Sequence, residues 1–184
     1  MADSIRSTGG SLASLRELAA RGQLYAILDA CDEPHVPVRM REIAEHACCL
    51  YQGKSEHDLW AIAPYLARVD ARLLDWIAST LWTDPWGVFA VSDAPLDELR
   101  THFRKFLLVD APGGDQWYFR FYDPRVLARF LSTSDAAQLA DFFGPITSFG
   151  WVDLETYGVT LVQLAWFDAA QPVTPRISFR KAAK

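Results

Sequence analysis

The chain has 184 residues, 51% of them hydrophobic and 13% aromatic, and a formal net charge of −5. That length suits one domain with a substantial core, and the apolar content excludes a chain that is disordered throughout. No apolar run reaches the roughly 18–20 residues that a bilayer span requires, and an acidic body repels phosphate backbones, which excludes nucleic acid as the expected main partner.

Residues 1–10 (MADSIRSTGG) show no apolar periodicity and read as a disordered N-terminus. They lack the charged-then-apolar pattern of a secretory signal, so a cytoplasmic protein is expected. SLASLRELAARG (11–22) then has Leu12, Leu15 and Leu18 on one side and Gly22 as a stop, the pattern of a short amphipathic helix. LYAILDAC (24–31) is an apolar strand of the kind buried on both faces. A brief helical segment, RMREIAEH, follows over 39–46, and ACCLYQG (47–53) is a second apolar strand.

APYLARV (63–69) is a third strand candidate, and Asp70 stands where its carboxylate can cap the helix ARLLDWIASTLW (71–82). Trp76 falls off the apolar stripe of that helix, and Trp82 and Trp86 flank the turn after it. WGVFAVSD (86–93) is another strand; Pro95 suits the first turn of the helix LDELRTHFRKFLL (96–108). A Pro-Gly-Gly turn at 112–114 makes a hairpin of the flanking segments.

WYFRFYD (117–123) reads as a strand with Trp117, Phe119 and Phe121 on one face and Tyr118, Arg120 and Tyr122 on the other. Asp123 and Pro124 open a helix, and Asp135 with Gln138 has capping-box spacing for the next, which ends at Gly144-Pro145. Two strands over 147–154 and 159–167, with a turn near Tyr157-Gly158, close the domain as a hairpin. The alternation of helices and strands predicts an α/β (α+β) domain over 11–170, a mixed β-sheet flanked by helices. The basic tail 171–184 carries Arg176, Arg180, Lys181 and Lys184 and no acid.

Catalytic chemistry finds little support in the residues. His35, His46, His57 and His102 do not form a metal-ligand spacing, and His102 reads as a packing residue. Cys31, Cys48 and Cys49 form no CxxC motif and read as small buried hydrophobes. There is no G-x-S-x-G, P-loop or G-x-G-x-x-G, so no cofactor is expected. Arg120 lies among phenols and needs an acid beside it, with Asp29, Asp93 and Asp123 as candidates. It is either a structural joint or an anion site. Of the 7 tryptophans, Trp76, Trp82 and Trp86 are the candidates for exposed anchors at a protein interface.

LYAILDA, APYLARVD, LLDWIASTLWTDPWGVFAVSDAPLDELRTHFRKFLLV, WYFRFYDPRVLARFL and QLADFFGPITSF occur in an order that resembles the domain-of-unknown-function 4123 family, from about Leu24 to Phe149. FRFYDPRV is the most specific segment. Members of the family are type VI secretion adaptor chaperones, so the resemblance implies a non-enzymatic cytoplasmic protein. Its partner would be a secreted effector, engaged through the effector's N-terminal region, and the VgrG spike. It supplies no catalytic residue to carry over, and it agrees with the missing motifs, acidic charge and short apolar runs, from which no cofactor, nucleic acid or membrane is expected. Arg120, Asp123 and Pro124 fall on the family signature, and Arg125 is the signature residue expected to reach the surface and a partner. A small hydrolase or transferase with an Arg/Asp anion site is the alternative, and an immunity-like protein that neutralises a toxin is a third reading.

Overall fold

Leu24–Asp29 (β2) is buried at all six positions, and strands of that kind belong at the middle of a sheet. The computed structural model describes residues 5–110 and 114–164. In it β2 lies between β4 (Pro64–Arg68) and β5 (Gly87–Val91). The sheet extends past β4 to β3 (Ala47–Cys49). On the other side β5 meets β8 (Ser148–Val152), which pairs with β9 (Val159–Leu164). The far edge is β1 (Ile5–Gly10), so the order is β1-β9-β8-β5-β2-β4-β3.

The expected α/β domain is present, and each ladder of its sheet is antiparallel. Alternating helices and strands had suggested a mixture of directions. Their source is visible: β4 and β5 do run the same way, joined by α4 (Ala71–Thr80), but β2 is inserted between them. The disordered N-terminus expected over 1–10 is corrected for residues 5–10. β1 pairs with β9 from Ile5↔Leu164 to Gly10↔Val159, and backbone pairing at an edge needs no apolar alternation.

Helix ends follow their caps. Asp70 accepts from the Leu73 N–H at 2.8 Å, and Asp135 and Gln138 form the reciprocal box at the start of α7 (Ala136–Phe143). Asp123 caps α6 (Pro124–Thr133), with Pro124 where its missing N–H costs nothing. Ser11 caps α1 (Leu12–Ala20). The segment expected over 39–46 forms earlier, as α2 (His35–Glu42), with a single 3-10 turn at Ala44–His46. A short α3 (Lys54–Asp58) precedes β4. Pro95 is the cap of α5 (Leu96–Arg104) and lies outside the first turn.

The strand expected over 117–123 stops early. Only Gln116–Tyr118 (β7) pairs, with Leu108–Asp110 (β6), in a two-stranded ribbon apart from the main sheet. The Phe119 N–H then donates to the Leu107 carbonyl and the chain turns, so the two-face alternation fails: Phe121 and Tyr122 are both buried. Phe142 is the hub of the core beside this turn. Its ring lies 5.0 Å from Phe149, 5.2 Å from Phe106, 5.7 Å from Phe121 and 4.9 Å from Phe130. The end of the terminal strand, 165–167, and the tail 171–184 lie outside the described residues.

Candidate functional site

The signature segment 119–126 begins with a joint. Asp29 closes the central strand and is 6% exposed. Its Oδ1 accepts from the Cys31 N–H at 3.0 Å, and its Oδ2 accepts from Arg120 Nη2 at 2.5 Å. Of the three candidate acids, Asp29 is therefore the partner of Arg120; Asp93 accepts from Gln23 and Asp123 from Arg125. The Arg120 side chain is 41% exposed, so water screens the pair. Losing the arginine would still leave a buried carboxylate with one backbone donor, a cost of about 1–3 kcal/mol. Beside it the Tyr122 phenol is raised by burial and by the neighbouring Tyr51.

Asp123 and Arg125 make a second closed unit. The Asp123 carboxylate accepts from the Arg125 backbone N–H at 2.9 Å and from its Nε and Nη2 at 2.9 and 2.7 Å. Burial pushes that carboxyl up, and the Arg125 side-chain and backbone donors outweigh it and hold the group below its ordinary range. A depressed carboxyl stabilises the fold above its unfolded value and loses that contribution as pH falls through the folded value. Asp123→Asn keeps a capping oxygen, so it isolates the charge. The variant is expected to be less stable than the parent at pH 7, with the gap closing below about pH 4; denaturant unfolding at stepped pH checks this.

The expected tryptophan anchors do not form a surface. Trp86 is 2% exposed and packs edge-on against Phe89, because the turn after α4 points its ring under β5. That corrects its place among the partner-binding candidates. Trp76 is half-buried with the Arg39 guanidinium 5.9 Å from its ring. Trp82 is half-buried too, and its Nε1 donates to the Tyr157 carbonyl at 3.1 Å, tying α4 to the β8–β9 turn.

The exposed aromatics lie elsewhere. Trp117 is 60% exposed and Tyr118 49%, on the ribbon, with Leu108 opposite Tyr118 at 40%. Sequence reasoning missed them by placing WYFRFYD in one long strand; the turn expected at 112–114 lies mostly outside the described residues. Along α6 runs a cleft of about 510 Å³, lined by Phe119, Asp123, Arg125, Val126, Arg129 and Phe130 among others. Arg125 is 67% exposed there, which fits the expectation that it reaches the surface.

The remaining candidates are structural. His102 is 6% exposed, and its Nε2–H donates to the Phe142 carbonyl at 2.8 Å, a packing role as expected. Cys49 is buried and Cys48 half-buried, with the Cys48 thiol pushed up to about 11 by burial, so both are unreactive near neutral pH. Cys31 is exposed, against the expectation that all three are buried, because it follows the end of β2. Among the described residues no group of three or more His, Cys, Asp or Glu side chains is placed to hold a metal ion, and no helix is long and apolar enough to cross a membrane.

The arrangement is that of a scaffold whose most specific segment locks the centre of the sheet to an outlying ribbon and helix. Residues 24–141 match the family described as Domain of unknown function (DUF4123), and the chain belongs to that family. No curated protein and no solved structure matches the chain significantly.

Proposed function

We propose that this protein is an adaptor chaperone that binds a type VI secretion effector and assists its loading onto the VgrG spike. The observation that carries the reading is the family match over residues 24–141, with FRFYDPRV intact at 119–126. The exposed Trp117 and Tyr118 support it, since aromatic side chains held at a surface are the usual anchors of protein interfaces. On this reading the protein acts in the cytoplasm by binding, without catalysis, cofactor, nucleic acid or membrane, and the N-terminal region of the effector is its first partner. An anion-using enzyme centred on Arg120 is the weaker alternative, because Asp29 already holds the place an anionic substrate would take.

Affinity purification of the tagged full chain from its own bacterium, with mass spectrometry of bound proteins, tests the proposal. A spike-associated toxin is expected, and deletion of the gene should abolish its secretion. An effector that stays soluble and is exported without this protein would refute the adaptor role.

A further inference from the structure

Phe119, which follows the ribbon, and α6 with its cap Asp123 line a groove. Its floor is apolar: the Phe119 and Phe130 rings meet at a tilt, 4.9 Å between centroids, both half-buried, with Val126 beside them. Its rim is basic. Arg125 and Arg129 stand one helical turn apart on α6, whose sequence PRVLARFLST has no acid. Like charges at that spacing repel one another. Asp123 compensates Arg125 alone, and Arg129 is exposed and makes no ion pair with a described residue. In a chain of net charge −5, the two arginines give this apolar floor a basic rim that Asp123 offsets only in part.

From this juxtaposition we infer that the groove receives a segment of the protein client in which a carboxylate neighbours a large apolar side chain. The inference rests on the adaptor reading for the nature of the client and adds its point of contact. The apolar side chain covers Phe119 and Phe130, and the carboxylate takes the guanidinium of Arg129, which is planar and forked and pairs well with it. The chain's own basic tail is an unsuitable occupant, because Arg176, Arg180, Lys181 and Lys184 have the same sign as the rim. Trp117, two residues before Phe119 in the chain, is 60% exposed.

Two measurements on the full chain test this. In the first, a labelled amphipathic peptide of glutamate and leucine is titrated by fluorescence anisotropy beside a lysine-leucine counterpart. The glutamate peptide is expected to bind, to weaken at least about tenfold with Arg129→Glu, and to keep its affinity with Arg72→Glu, an exposed control elsewhere. Circular dichroism and a thermal melt confirm that both variants fold. Equal binding of the lysine peptide, or no loss with Arg129→Glu, overturns the groove assignment. Self-association of the chain through Arg129 in place of peptide binding, seen by ultracentrifugation, overturns it as well.

In the second, the client recovered by affinity purification is bound to the same variants. Loss with Arg129→Glu, regained by changing a client carboxylate to lysine, supports the inference. A client that binds parent and Arg129→Glu alike refutes the groove and leaves the adaptor reading standing. Recovery of no client, with the glutamate peptide still bound through Arg129, refutes the adaptor reading and upholds the acidic-apolar chemistry of the groove.

Discussion

Arg104→Ala is expected to lower the unfolding free energy by about 2–4 kcal/mol, a large share of the stability of a domain this size. Arg104 ends α5, and its guanidinium donates to three consecutive carbonyls: Cys49, Leu50 and Tyr51, each at 3.0 Å. These residues are buried where the edge strand β3 leaves the sheet. No acid forms an ion pair with Arg104 among the described residues; its positive charge is spent on backbone oxygens. Removing it strands those acceptors. Arg104→Lys should recover less than half of the loss, because an ammonium lacks the fork that reaches carbonyls in different directions. Denaturant unfolding of both variants decides the matter. A change within about 0.5 kcal/mol for Arg104→Ala would mean that water replaces the guanidinium freely.

Gly87→Ala is expected to cost about 3 kcal/mol or more, enough to empty the soluble fraction on expression at 37 °C. Gly87 opens β5 with φ +156°, and it pairs with Leu28 of the central strand. A Cβ there would lie 2.2 Å from the Ile27 carbonyl oxygen and 3.0 Å from the Leu28 Cα. Both contacts are backbone atoms of β2, which is held by ladders on both sides and has nowhere to move. Thermal unfolding of purified variant against parent measures the effect. A melting temperature within a degree or two of the parent would show that β2 and β5 separate locally without loss.

Much of the fold is legible in the sequence because its signals are local. Asp70, Asp123 and the Asp135–Gln138 pair each cap the helix that follows them, since a cap involves only three or four neighbouring residues. The unbroken apolar run of β2 likewise marks a strand buried on both faces. What was not legible depends on distant partners. Ile5–Gly10 is a strand only because β9, some 150 residues away, offers an edge. WYFRFYD ends its pairing at Tyr118 because its one neighbour, β6, is three residues long.

The candidate site follows the same division. FRFYDPRV identified the family, and Asp29 stood among the three acids considered for Arg120, but choosing it required the end of β2 to be brought alongside. Trp86 was misread because flanking a turn suggests exposure, whereas here the ring packs against Phe89 and is buried. Trp117 and Tyr118 gave no sign of exposure, since a strand with a sheet on one side and a ribbon with open edges have the same composition.

The pair between Asp29 and Arg120 also sets how force travels through the molecule. The turn 119–123 joins the ribbon to α6, and Arg120 fastens that turn to Asp29 at the end of the central strand. Through this pair, force applied at that turn reaches β2, a strand that two ladders hold, whereas the edge strands β1 and β3 each have one. On the adaptor reading proposed above, a grip at the ribbon and α6 is tied through this pair to a strand held on both sides.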